Sequence, residues 1–262
     1  MDTAQLVERV NAEGVRGVAD RIELSDPDAY AETWWSDLVR DARENAALVA
    51  DRWQEVLPDN FNFLREVVRE HALVAPVFLI KEGGETNSGL LYLIQGPDST
   101  ADADGGIACF GFPNVSRKEI ETSRFGARLS QDIQDFYRLV HGAFQIVIQS
   151  HGDMIVPVDE IQTWSERTGF SAPEVLDSGE FESILEGAEY VPDPSKMAVV
   201  WEAGLSAVAV DLDRPEECWD YAGGVLNYIP RVGSSGFVNT PSTTIDLAIL
   251  SFLGYYPGLD RY

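Results

Sequence analysis

The hydrophobic pattern of the chain changes its period near residue 72. Before that point, apolar residues recur three and four positions apart, which is the spacing of helices that bury one face. After it, short apolar runs lie between stretches rich in glycine and aspartate, which is typical of strands joined by turns. The two patterns together predict an α+β fold class.

The predicted elements follow from these periods. The expected helices lie at residues 3–10, 26–57, 61–68, 117–125, 131–140, 157–164 and 243–253. Their expected N-terminal caps are Thr3, Asp26 followed by Pro27, Ser130, and Thr243 or Thr244. The expected strands lie at 73–80, 89–95, 106–112, 144–148, 154–156, 197–201, 205–210, 219–221 and 225–229. The first three strands form an antiparallel unit in this prediction.

The chain divides near residue 128 into two regions. Residues 1–128 are predicted to form a helical N-terminal region with three short strands, and residues 129–262 an α+β domain. The two regions either form separate units or pack as one compact unit. The first carries 23 acidic and 13 basic side chains and the second 21 and 6, so their net charges are −10 and −15.

The acidic excess limits the possible partners. With 44 acidic and 19 basic residues the formal net charge is −25. Direct binding to nucleic acid is disfavoured because phosphate contacts need clustered lysine and arginine. An anionic membrane surface would repel the chain for the same reason. A basic protein would be attracted, and we expect such a partner.

The densest acidic segment is predicted to be the partner-binding surface. In residues 159–193 only Arg167 opposes the carboxylates. Charges that repel one another destabilise the compact state, which favours a function that uses their electric field. An ordinary solvated face is the alternative. The predicted partner-binding residues are Asp159, Glu160, Glu166, Glu174, Asp177, Glu180, Glu182, Glu186, Glu189 and Asp193.

The N-terminal sequence MDTAQLVERV is polar and has neither the positive start nor the apolar stretch of a signal peptide. The longest apolar runs are of strand length, well short of the roughly 20 residues that span a bilayer. We therefore expect a cytoplasmic protein. Cys109 and Cys218 are then predicted to be free thiols, with one disulfide as the alternative.

Catalytic and metal-binding motifs are weak. His71, His141 and His151 form no H-x-H or H-E-x-x-H pair, so we expect no metal and no cofactor. His141 precedes Gly142 at a predicted helix end, where a cation suits the helix dipole, and we favour this capping role over catalysis.

One group of carboxylates follows a predicted strand, where such groups can hold a metal or act as acid and base: Asp211, Asp213 and Glu217. Residues 211–216 also have the composition of a turn followed by a short helix start, and we favour that interpretation. We expect no catalytic residues. An enzyme built on these carboxylates, or on His141, is the alternative.

The second half of the chain resembles a known family. Residues 129–142, with the sequence LSQDIQDFYRLVHG, resemble the opening helix of the SUKH superfamily. Residues 154–161, MIVPVDEI, resemble the strand that leads into the family's next helix. Residues 197–211 are similar to its central hairpin and residues 243–253 to its C-terminal helix. Ser130 and His141 stand where the family usually has proline and asparagine.

This resemblance implies a central, mainly antiparallel sheet flanked by helices, and a binding module. Bacterial SUKH proteins are commonly immunity proteins that neutralise toxins of contact-dependent, type VI or related secretion systems. Many such toxins are nucleases, which are basic because they bind phosphate. We therefore expect a non-catalytic immunity protein that binds a basic cognate toxin and blocks its active cleft. A regulatory scaffold for an endogenous partner, as in the yeast member of the family, is the alternative.

Overall fold

The computed structural model describes residues 1–15, 19–26, 33–81, 83–97, 106–147, 153–169, 192–222, 225–229, 231 and 238–255. Within them the chain forms a ten-stranded sheet whose strands follow one another in chain order, every neighbouring pair being antiparallel. The α+β class and the central antiparallel sheet flanked by helices are therefore confirmed.

The strands, numbered along the chain, are β1 Arg21–Leu24, β2 Ala72–Ile80, β3 Thr86–Gln95, β4 Gly106–Gly111, β5 Phe144–Ile146, β6 Asp153–Ile155, β7 Met197–Ala203, β8 Ser206–Asp211, β9 Arg214–Ala222 and β10 Val225–Ile229. The described α-helices are α1 Thr3–Glu13, α2 Ala42–Val56, α3 Asn62–His71, α4 Arg117–Thr122, α5 Gln131–Leu139, α6 Trp164–Thr168 and α7 Pro241–Phe252. Short 3₁₀ turns lie at Gly126–Arg128 and Pro194–Lys196. None of the described helices combines the length and the apolar character needed to cross a bilayer.

Alternate residues of the strands face two cores. On one face, Val74 and Tyr92 pack in a cluster that includes buried residues of α2, α3, α5 and α7. On the other, Leu73 and Leu93 pack with buried residues of α1, while Trp164 of α6 packs against β7 and β9. Since side chains alternate across a strand, burial of both faces explains why β2 reads as a continuous apolar run.

The sheet continues across residue 128, where the sequence suggested a division. Strands β4 and β5 pair through Cys109 with Ile146 and Gly111 with Phe144. Helices also connect the two regions, because Asp246 of α7 accepts hydrogen bonds from the backbone N–H groups of Phe63 and Leu64, the second and third residues of α3.

The long helix predicted at 26–57 is wrong. The described part of that range has a turn around Trp34 and Trp35, and α2 begins only at Ala42. The carboxylate of Asp41 accepts hydrogen bonds from the backbone N–H groups of Arg43 and Glu44, which fixes the start of the helix. The apolar spacing before it arises because both tryptophans pack on the core, and Trp34 donates its indole N–H to the carbonyl of Val140.

Other predicted boundaries also move. Residues 158–160 form a turn, and the helix expected from Pro157 begins at Trp164 behind a capping box of Thr163 and Glu166. Residues 211–213 turn as expected, but strand β9 follows in place of the short helix. The N-terminal cap of α1 is Asp2, one residue before the predicted Thr3. The cap of α7 is Thr240, which precedes the predicted Thr243 or Thr244. The predicted three-strand unit and the 197–210 hairpin are confirmed.

Candidate functional site

Two of the predicted partner-binding carboxylates lie in a cleft of about 450 Å³ at the junction of the two regions. We call it the junction cleft. The turn between β2 and β3, the segment after β4, the segment before β5 and the turn after β6 surround it. Its described lining is Lys81, Glu85, Asn87, Phe112, Pro113, Val115, Gly142, Ala143, Gln145, Pro157, Asp159 and Glu160.

Backbone hydrogen bonds hold two walls of this cleft together. Phe112 donates its N–H to the carbonyl of Ala143 at 3.0 Å, and Gly142 donates to the carbonyl of Pro113 at 2.9 Å. The walls approach so closely at Gly142 that a Cβ atom there would lie 2.5 Å from the carbonyl oxygen of Pro113. Gly142 is therefore required by this close approach and not by an unusual φ angle.

We expect Gly142→Ala to lower the unfolding free energy by about 1–3 kcal/mol, because backbone atoms must move to admit the methyl group. Urea denaturation monitored by tryptophan fluorescence measures the change. The matched control is Gly96→Ala, where an added Cβ meets open space. Equal stabilities of the two variants would contradict the close approach.

His141 lies beneath the cleft and is fully buried. Its Nδ1 atom lies 2.9 Å from the carbonyl oxygen of Phe112, so Nδ1 carries the proton and donates, and Nε2 accepts from the Tyr92 hydroxyl at 2.7 Å. Burial lowers the pKa of His141 to about 3, which keeps the ring neutral at pH 7. The expectation of a charged histidine capping a helix end is therefore wrong.

The rim of the cleft is acidic. The turn after β6 is closed by a hydrogen bond of 2.9 Å from the N–H of Glu160 to the carbonyl of Pro157, and it exposes Asp159 and Glu160. Across the cleft, Lys81 lies 4.0 Å from Glu85. The lining thus contains three carboxylates against one cation, and a cationic group is the ligand that it favours.

The other predicted partner-binding residues are distributed differently. Glu166 forms an ion pair of 2.7 Å with Arg124, and the hydrogen bond from this arginine lowers the pKa of the carboxyl. Asp193 accepts hydrogen bonds from the hydroxyl and the N–H of Ser195, which lower its pKa and cap a 3₁₀ turn. Both carboxylates thus stabilise local structure. Six predicted residues lie outside the described part of the chain: Glu174, Asp177, Glu180, Glu182, Glu186 and Glu189.

The carboxylates after β8 have turn and surface partners. Asp211 accepts a hydrogen bond of 2.8 Å from the N–H of Asp213, as in the predicted turn. Asp213 forms ion pairs with Lys196 at 2.5 Å and Arg128 at 2.9 Å. Glu217 accepts a hydrogen bond from the hydroxyl of Tyr228. In the ranges that the structure describes, no three His, Cys, Asp or Glu side chains are placed to hold a metal ion.

Both cysteines are buried free thiols, as predicted. Burial raises the pKa of Cys109 and of Cys218, so both are protonated at neutral pH. A buried protonated thiol is a poor nucleophile and behaves as a small apolar side chain.

Many lysine and arginine side chains form ion pairs within the protein. Eleven lysine and arginine side chains form ion pairs with carboxylates among the described residues. The whole chain has 25 more acidic than basic side chains, so most of its carboxylates have no lysine or arginine of their own to pair with.

Comparison with family models, with curated proteins and with solved structures finds no match to this chain.

Proposed function

We propose that this protein is a non-catalytic immunity protein that binds a basic toxin in the cytoplasm and blocks the toxin's active cleft. The observation that carries the proposal is the exposed carboxylate of Asp159 at the rim of the junction cleft. No lysine or arginine in the described part of the chain lies within ion-pair distance of it, although eleven such side chains are paired elsewhere. Such a carboxylate is available to a cation of a partner.

The chemistry of the partner follows from the charge. Proteins that cleave nucleic acid carry clustered lysine and arginine because they bind phosphate. An acidic surface competes for the same clustered cations, and a net charge of −25 accelerates the encounter at low salt. The resemblance of the second half of the chain to SUKH immunity proteins supports the same role.

The non-catalytic part of the proposal is supported by the positions of one histidine and both cysteines, residue types that often perform catalysis. His141, Cys109 and Cys218 are all packed in the core. Burial lowers the pKa of the histidine and raises the pKa of both thiols, so all three are neutral at pH 7. These groups contribute to packing and hydrogen bonding inside the protein.

The proposal is tested by co-expression with the protein encoded by the neighbouring gene. We expect that protein to arrest growth alone and to be harmless together with the chain described here. A complex between the two should associate rapidly at low ionic strength and slowly at 1 M salt, where the screening length falls to about 3 Å. A neighbouring protein that binds but is not toxic would favour the regulatory role, and one that neither binds nor is toxic would contradict the proposal.

We expect the double variant Asp159→Lys/Glu160→Lys to lower the association rate constant by about tenfold or more at low salt, because both changes place like charges opposite the partner. Stopped-flow fluorescence measures the rate.

The matched control is Glu8→Lys/Glu216→Lys, which changes the net charge equally at exposed positions on α1 and β9. It should reduce the rate much less, because only the overall field is altered. Equal rates for the two double variants would remove the junction cleft from the interface.

A further inference from the structure

A second cavity, of about 370 Å³, lies between α7 and the last strands of the sheet. Helix α7 packs against β8 and β9 there. We call this cavity the α7 groove. Most of its lining surface is apolar, and its lining includes Trp201, Ser206, Asp220, Leu247, Ala248 and Phe252.

One carboxylate, that of Asp220, lies in this lining, which also contains the polar residues Ser206, Asn239, Thr244 and Ser251. In the sheet, Trp201 is opposite Val208, and Val208 is opposite Asp220. Residues that face each other on adjacent strands point to the same side of a sheet, so the three side chains form one row beneath α7. Trp201 and Val208 are fully buried core residues of this face, and Asp220 at the end of the row is half-buried.

Asp220 lacks an internal counter-charge in the described part of the chain. No lysine or arginine there lies within ion-pair distance of its carboxylate. Loss of solvent raises the pKa of this carboxyl, and no hydrogen bond or neighbouring cation opposes the effect. A partly desolvated carboxylate without a partner lowers the stability of the free protein. Such groups are expected at sites where a bound ligand supplies the missing partner.

We propose that the α7 groove binds an arginine side chain of the basic protein partner, with its aliphatic part against Leu247, Ala248 and Phe252 and its guanidinium on Asp220. The choice of an arginine from a protein rests on the proposed function. The site itself rests on the groove and on its unpaired carboxylate. Arginine fits because its apolar stem can be buried while its planar head forms two hydrogen bonds to one carboxylate.

The test uses n-butylguanidinium as a probe of the arginine side chain and n-butylurea as its neutral analogue, each titrated into the whole protein. We expect n-butylguanidinium to shift the amide NMR signals of Ser206 and Ala248 with a dissociation constant on the order of 1–10 mM. The neutral analogue should bind about tenfold more weakly, because it lacks the charge-assisted hydrogen bonds. Equal binding of the two probes would overturn the proposal.

Two variants separate the charge from the shape of the groove. Asp220→Asn should weaken n-butylguanidinium about tenfold and raise the melting temperature by about 2–4 °C, because an uncompensated carboxylate is removed. Ala248→Leu should weaken binding strongly while Asp220 stays in place, because the larger side chain occupies the space proposed for the aliphatic part of the ligand. Binding unchanged in either variant would contradict the site.

The whole complex then distinguishes this site from the proposed function. If growth rescue and the salt-dependent association persist with Asp220→Asn while n-butylguanidinium does not bind the wild-type protein, the immunity function stands and the arginine site is wrong. If the probe binds and Asp220→Asn abolishes its binding while the neighbouring protein is neither bound nor toxic, the groove is a cation site of a protein with another function.

Discussion

Lowering the pH from 7 to 3.5 should destabilise the wild-type protein by about 4 kcal/mol more than a His141→Phe variant. The pKa of His141 is about 3 in the folded protein against an ordinary value of 6.5, because burial opposes its charged form. Between about pH 3 and pH 6.5 the unfolded chain binds one more proton than the folded chain. The contribution is fully present above pH 6.5 and is lost at about 1.4 kcal/mol per pH unit as the pH falls towards 3.

The measurement is the free energy of unfolding from urea denaturation at several pH values. At neutral pH the variant should itself be less stable by about 2–4 kcal/mol, because the Tyr92 hydroxyl and the Phe112 carbonyl lose their buried partner. The prediction therefore concerns the slope against pH and not the stability at one pH. His71→Phe removes a half-exposed histidine and is the control. If His141→Phe and His71→Phe gave the same slope, His141 would not be a buried neutral group.

Six aromatic rings explain why this histidine is so strongly desolvated. Their centroids lie between 5.6 and 6.4 Å from that of the imidazole, and the rings belong to Trp34, Trp35, Trp53, Tyr92, Phe136 and Phe144. Three of them come from the N-terminal helical region, one from β3 and two from the region after residue 128. The tryptophans of the N-terminal region thus enlarge the core that both regions share.

Local elements of this fold could be predicted from the sequence, because their signals lie within a few neighbouring residues. Helix α3 follows from the spacing of Leu64 and Val68, and strands β2 to β4 follow from apolar runs bounded by turns. Strand β1 could not be predicted, because a four-residue strand with one buried side chain has no recognisable period.

Features that depend on distant parts of the chain could not be predicted. The indole of Trp34 bonds to a carbonyl 106 residues away, and His141 bonds to Tyr92 49 residues away. A periodic pattern gives no information about either partner. For the same reason the charge pattern predicted Asp159 and Glu160 as binding residues but gave no indication of Lys81, Glu85 or Gln145, which reach the same cleft from other elements of the fold.

The N-terminus of α3 is the clearest example. Its cap position is Phe61, in a left-handed conformation with φ of 51° and without a side-chain hydrogen bond to the helix. The N–H groups of its second and third residues are satisfied by Asp246 of α7, which accepts from Phe63 at 2.9 Å and from Leu64 at 2.7 Å. This long-range cap connects the last helix to the N-terminal region.

We expect Asp246→Ala to lower the unfolding free energy by about 2–5 kcal/mol, because one buried and one partly buried N–H group lose their acceptor at the same time. Urea denaturation at pH 5 measures the loss. Asp59→Ala, in the exposed loop before the same helix, is the matched control and should cost less than about 0.5 kcal/mol. Similar stabilities for the two variants would show that the cap contributes little.

The pH dependence of Asp246 should have the opposite sign to that of His141. Burial raises the pKa of the Asp246 carboxyl from 3.8 to about 7, outweighing the two N–H groups and Arg65. The folded chain then binds one more proton than the unfolded chain between these values, so this contribution is present below pH 3.8 and is lost as the pH rises to 7. From pH 4 to 6.5 the opposite effects of pH on stability through His141 and Asp246 therefore nearly cancel in the wild type.

Relative to the wild type, His141→Phe should lose stability with rising pH and Asp246→Asn should gain it, each by about 1.4 kcal/mol per pH unit. An unchanged slope in Asp246→Asn would mean that the N–H groups of α3 keep the carboxylate ionised.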